Sequence, residues 1–503
     1  MQITHQPQTS VNPPSTESMT SVGIIRQEGT RYPTAEEFFS PSERYPEYRF
    51  QHLAARSNPV YAMFRELLRS MRLDEARFGT PAWNPLGEWV KRGQRVFVLT
   101  NFVTNKRPYQ SWRDFNGMVT HPSVIRALMD YLITATGDPR LVRFGNAPVQ
   151  SAVVPGLWLQ TGAEAVRDFY IRETGEDLGP VDLRLFVSTM NSLGYQKATQ
   201  EFDPRDEVTF DLKTKSFLEK LPSESFGSFA VDGYGSDATQ PFHSSARHLY
   251  KIHRQIIESD VIFHAAKLKT HNKVGLTAGL KGAVGAITRK ECLAHHRRGP
   301  MASGGDEFSQ DSWLTRLYHS LGEYYVSGCS NFARVAHKNF GRILKHGLGI
   351  RVHGDWFGND TAWRMALDIN RCLVYGKGDG TLSNHRVRAV CTLLDGVVSG
   401  EGDGPIGVDA REDGILLLSN DAASADLGAA LLMGFDPAKI PLLSGAFQPG
   451  ELRVSGADRE KVSFTVNGAT VAPEDVCGMV RPFRPPPGWA GHIEYAGRPR
   501  VTH

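Results

Sequence analysis

Short apolar runs of strand length alternate with longer segments of helical periodicity along most of this chain, and that alternation restricts the fold more than any other feature. Runs at 22–25, 96–100, 141–144, 183–188, 260–265 and 415–419 read as strands, and another strand ends at 393–394. In 57–72 the residues Val60, Met63, Phe64, Leu67, Leu68 and Met71 recur at the spacing of one helical face. Further helices are expected from a cap at Thr120 to about Thr136, and over 244–259, 275–285, 311–327, 330–345, 361–375 and 421–433. Strands separated by helices predict an α/β fold with a mainly parallel sheet flanked by helices. From about residue 446 the chain turns rich in Gly and Pro, and the alternating stretch VSFTVNG predicts a small C-terminal β appendage. The expected organisation is a disordered tail over 1–20, an α/β region over 21–445 in one or two lobes, and the appendage over 446–503.

Charge and cysteine content narrow the function. The chain has 57 Lys and Arg against 54 Asp and Glu, a net +3, which provides no global field for nucleic acid. The longest apolar runs fall short of a bilayer span, so no membrane partner is expected. The five cysteines, Cys292, Cys329, Cys372, Cys391 and Cys477, are scattered and contain no Cys-x-x-Cys pair. No iron–sulfur cluster is expected, and the reducing cytoplasm is the natural compartment. The GxxxxGK[ST], GxSxG and HExxH patterns do not occur, and no GxGxxG opens a helix.

The most informative stretch is DVIFHAAKLKTHNKVGLTAGLKGAVGA, residues 260–286. A buried-type strand leads into Lys267, Lys269, His271 and Lys273, followed by a glycine-rich segment carrying Lys281. Ligands in open α/β sheets bind beyond the carboxyl ends of strands, and a helix start there adds N–H donors. The pattern predicts a phosphate or carboxylate site; the competing reading is a solvated basic loop.

Other polar groups are less specific. In His295-His296 neighbouring side chains diverge, so one can be a ligand or proton carrier and the other structural, or the stretch is a polar surface loop. Asp395, Glu401 and Asp403 lie among glycines at a strand end, which suits a metal or a hydroxyl, or a plain turn. Asp421 suits a helix cap, whereas Asp426, one turn inside, needs another reason. Asn359 or Asp360 can cap a helix bearing Trp363 and Arg364, either as a buried network or as a substrate clamp. Asn101, Asn146 and Gln150 stand at strand ends.

With WNPLGEWVKRGQRVFVLTNFV, THPSVIRALMDYL, the lysine stretch, LAHHRRGPMASGGDEF, WFGNDTAWRMALDINR, DGVVSGEGDGP and SNDAASADLGAALLMGFDP in this order, the chain resembles the bacterial domain-of-unknown-function 362 family over roughly 80–440. It is most similar to the long members without a ferredoxin-like cluster domain. The resemblance implies an α/β fold and no defined reaction. The chain departs from the family pattern at Leu99, Ala266, Gly282 and Asn146.

The expected function is an enzyme acting on a small phosphorylated or carboxylated metabolite, in a specialised biosynthetic role. Lys267, Lys269 and Lys281 would neutralise the anion, and His271 would carry the proton. Catalytic roles fall to His271, Lys269 and Asp395. Asn101, Gln150, Lys273, His295, Asn359 and Arg364 would complete the substrate site. Asp395, Asp426 and Glu401 would hold a divalent metal. The alternative is a non-catalytic binding or accessory protein that keeps the pocket. Neither nucleic acid nor membrane is an expected partner, and oligomerisation is left open.

Overall fold

The computed structural model describes residues 20–190, 196–234, 237–326 and 331–496. Residues 1–19 of the expected tail and Cys329 lie outside them. A ten-stranded sheet organises the chain. Its strands are β1 (Ser21–Arg26), β2 (Val96–Thr100), β3 (Val142–Asn146), β4 (Val181–Asp182), β5 (Val261–His271), β6 (Gly275–Thr277), β7 (Ala389–Asp403), β8 (Gly407–Ser419), β9 (Ser463–Val466) and β10 (Ala469–Val471). The spatial order is β10-β9-β1-β8-β7-β5-β2-β3-β4, with β6 folded back on β5. From β7 through β5, β2 and β3 to β4 every pairing is parallel. The β7–β8 and β8–β1 pairings are antiparallel, and β9 joins β1 in parallel. The sheet is thus α/β in kind and mostly parallel, and the C-terminal β hairpin extends its edge.

Every residue of β5 is buried, because helices cover both faces of the sheet. Val261, Phe263 and Ala265 enter one core with helix α1 (Pro59–Ser70) and helix α3 (Pro122–Thr136). Ile262, Ala266 and Leu268 enter the other, with α4 (Ala362–Tyr375) and α5 (Ala422–Met433). Helix α1 starts where Asn58 accepts a bond from the Tyr61 N–H and Pro59 occupies the first turn. Helix α5 is buried along its whole length, so its sequence is apolar on every side apart from Ser424 and Asp426, and Asp421 caps it by accepting from the Ser424 N–H. Between β2 and α3 sits the short helix α2 (Trp112–Met118). A Cβ on Gly117 would stand 2.9 Å from the Ser399 carbonyl oxygen, so only glycine lets α2 press onto β7.

Several expected elements differ. Within 244–259 the chain forms a strand, Arg247–His253, paired with Glu207–Asp211, and only one helical turn, Arg254–Ile257. His248, Tyr250 and Ile252 are buried in alternation, a two-residue period that the surrounding polar residues obscure. The helix expected over 275–285 is instead β6, one turn at Gly279–Gly282 and a 3-10 turn at Ala283–Ala286. Four glycines spread over this segment cannot sustain a long helix. The strand expected to end at 394 runs on to Asp403, because β8 pairs with it along that length. His121, not Thr120, caps α3, while Thr120 donates to the Ala265 carbonyl at 2.7 Å. Among the described residues no helix is long and apolar enough to cross a membrane.

Candidate functional site

Residues two apart on a strand share a face, so β5 lines up Lys267, Lys269 and His271 as it leaves the sheet. Lys267 is fully buried and internally paired. Its Nζ donates to Asp395 Oδ2 at 3.0 Å and to the Tyr32 hydroxyl at 2.8 Å. Asp395 also accepts from the Tyr32 hydroxyl at 2.6 Å and from the backbone N–H groups of His121 and Val397. Tyr32 stacks on His121 with ring centroids 3.8 Å apart. Burial, with the Lys267 charge adding to it, holds the His121 imidazole well below its usual range.

Lys269 is equally buried, yet its Nζ donates to the Met118 carbonyl, at 2.6 Å, and to no carboxylate among the described residues. The close seat of α2 over Gly117 delivers that carbonyl. Burial pushes the Lys269 amine well below the usual lysine range, and the Lys267 and Lys281 charges push it further. Lys281, 7% exposed, has no ion pair among the described residues. Burial, aided by Lys273, lowers it to about 8, against the pull of Asp232. His271 Nδ1 accepts from the Lys273 N–H at 3.1 Å. Burial, then the charge of Lys281, drives His271 and His295 well down. The Nδ1 of His295 is buried without a hydrogen-bond partner. Lys269, Lys281, His271 and His295 thus lower one another's basicity, and no carboxylate is bound to any of them among the described residues. Lys273 is the contrast: despite burial, Asp232 and Asp355 raise it, at 3.1 and 3.0 Å, and it also donates to the His353 carbonyl.

The other expected site residues are dispersed. Gln150 is buried and spends its amide on the Thr288 carbonyl and the Tyr234 hydroxyl. Asn359 accepts from the Thr361 and Ala362 N–H groups at the start of α4 and donates to the His295 carbonyl, fixing the backbone that carries His295. Arg364 pairs with Asp360, four residues back. Asn101 stands at the end of β2, where its carbonyl accepts from the Thr120 N–H.

The three expected metal ligands do not come together. Glu401 binds Arg411, Arg481 and the Arg484 N–H. It lies six positions beyond Asp395 on β7, about 20 Å along an extended strand. Asp426, on α5, accepts from the Gly279 and Leu280 N–H groups and so anchors the single helical turn of the lysine segment. Among the described residues the group that could share an ion is Asp232, His296 and His353, whose ligand atoms all lie within 4.8 Å of one another. Asp232 carries no local pattern that marks it in the sequence; His296 stands in the His295-His296 pair, and His353 opens the polar run 353–364, where Asn359 and Arg364 are the expected site residues. A surface cleft of about 400 Å³, lined by Glu66, Arg69, Leu73 and Trp83 among others, shares no residue with the lysine face.

Burial raises the Asp426 carboxyl from 3.8 to about 8, against the pull of its two backbone donors. The folded chain therefore keeps a proton that the unfolded chain has lost. The associated stability is fully present below about pH 3.8 and is lost as pH rises through about 8. Between pH 5 and 8, Asp426→Asn is expected to flatten the decline in Tm. Parallel Tm profiles for the two proteins would refute this protonation.

Fold and site together define an α/β protein whose central strand carries unbalanced bases to the carboxyl edge of its sheet. Residues 212–430 match the model of DUF362, a domain of unknown function. The match includes the lysine strand, Asp395 and Asp426, whereas Tyr32, His121 and the motifs before 212 lie outside it. The chain is 21% identical over 361 residues to a thylakoid-associated protein of Synechocystis, covering 71% of this chain and 69% of the relative. No solved structure matches it.

Proposed function

We propose that this chain is an enzyme that binds a small phosphorylated or carboxylated metabolite between Lys269, Lys281, His271 and His295. One observation carries this reading: Lys269 and Lys281 are buried with no carboxylate bound to either among the described residues. Buried cations without partners are costly, and an anionic ligand supplies the missing charge. In this reading Lys281 anchors the anion and Lys273, already neutralised, shapes the entrance. An amine depressed as far as Lys269 serves as a base or nucleophile, which a mere binding protein would not require. His271, held neutral beside it, carries the proton. Lys267 and Asp395 act as a fixed support behind the reacting groups. The compartment is the cytoplasm, in keeping with buried thiols at Cys292, Cys372 and Cys391.

The test is a titration with sulfate and inorganic phosphate in the presence of chelator. Lys281→Met is expected to weaken sulfate binding by about 10- to 100-fold, the value of a charge-assisted contact. Sulfate does not titrate near neutrality, so its affinity should hold up to about pH 8 and fall above it as Lys281 loses its proton. In Lys281→Met that fall should vanish. Equal sulfate affinity in the two proteins would overturn the anion site.

A further inference from the structure

We propose that Asp232, His296 and His353 form a binding site for one divalent transition-metal ion. The site uses none of the four bases above and stands independently of the anion reading. Three donors held about 2.1 Å from one ion in tetrahedral array lie roughly 3.4 Å apart. Asp232 Oδ1 and His296 Nδ1 are 3.7 Å apart, too far for a hydrogen bond and close to that spacing. His296 is 4% exposed, and its Nδ1 is buried with no hydrogen-bond partner. A buried ring nitrogen turned toward a carboxylate without bonding to it is accounted for by an ion between them.

The surroundings orient the ligands. Asp232 turns its other oxygen, Oδ2, to Lys273 Nζ at 3.1 Å, leaving Oδ1 for the ion. The same Lys273 nitrogen binds the His353 carbonyl, so one side chain fixes two of the three ligand residues. Its own charge is offset by Asp355 at 3.0 Å. His353 has φ of 59°, a left-handed conformation uncommon outside glycine, and its ring stands 6.1 Å from that of His296. Two imidazoles and one carboxylate favour Zn²⁺, Co²⁺, Fe²⁺ or Mn²⁺ over Mg²⁺ or Ca²⁺. Asp232 and His353 are exposed, so the remaining coordination positions open outward, as in sites that admit water or a ligand.

The experiment uses the full chain, untagged and stripped with chelator, then titrated with Co²⁺ while visible absorption is recorded. One equivalent of Co²⁺ should bind, Zn²⁺ should displace it, and excess Mg²⁺ should not. His353→Gln and Asp232→Asn should each weaken Co²⁺ binding at least about 10-fold. His353→Gln, at an exposed position, should leave the metal-free Tm at the wild-type value, whereas Asp232→Asn also takes a partner from the buried Lys273 and should lower it; His296→Ala provides the buried counterpart. Absence of stoichiometric Co²⁺ binding, or equal affinity in wild type and both exposed variants, would overturn the site. Sulfate affinity measured in chelator is blind to this metal, so either site can fail alone.

Discussion

Asp395→Ala is expected to cost about 3–5 kcal/mol of stability, the penalty for stranding one partner of a buried ion pair. Neither Lys267 nor Asp395 has any exposed side-chain surface, so water cannot replace the lost carboxylate. The Tyr32 hydroxyl and the His121 and Val397 N–H groups lose an acceptor at the same time. The double variant Lys267→Met/Asp395→Leu should regain the part of that loss due to the stranded lysine, because an apolar pair of similar volume no longer carries buried charge, while the three donors stay without their acceptor. Urea unfolding of the three proteins decides the matter. If the double variant is as unstable as Asp395→Ala, the loss does not come from an unpaired lysine.

Lys269→Met is expected to move stability the other way. Burial, with two lysine neighbours adding to it, depresses its amine, whose single partner is a carbonyl, so the folded state bears a cost that an unbranched apolar side chain removes. A gain of roughly 0.5–2 kcal/mol is the scale for relieving a site kept for function rather than stability. Sulfate affinity in the same variant should fall by about 10-fold or more, since the anion loses one of its donors. Higher Tm with weaker sulfate binding marks a functional lysine. A lower Tm with unchanged binding would make Lys269 a structural residue and remove it from the proposed chemistry.

The elements most legible in sequence are those whose burial matches a simple period. The helices at 361–375 and 421–433 and the strand at 96–100 stand close to where their apolar residues put them, and the strand expected at 415–419 ends there but begins at Gly407. Legibility fails where polar residues are buried. Lys267, Lys269 and His271 look like a loop, yet β5 continues through them because neighbouring strands satisfy its backbone. The glycines after Asp395 look like a turn, yet they let two long strands pair closely. Asp395 reads as a metal ligand because its partner Tyr32 lies 363 residues away and leaves no local trace. The lysine cluster could be found because it is contiguous. Asp232, His296 and His353 come from three separate segments, so only their approach in space reveals them.

Strand β1 has a bearing on how the chain is made. Val22 pairs with Ser419 on one side and Phe464 on the other, so the first strand synthesised waits for the last part of the sheet. Trp489 then packs over Gly275 and donates to the Asn272 carbonyl, bracing the turn that follows the lysine strand. Such distant pairings give a high contact order, and during vectorial synthesis on the ribosome the outer edge of β1 stays open until residues 463–466 emerge. The basic strand is therefore braced late, and a nascent chain stalled before residue 463 leaves the outer edge of the six-residue strand β1 unpaired.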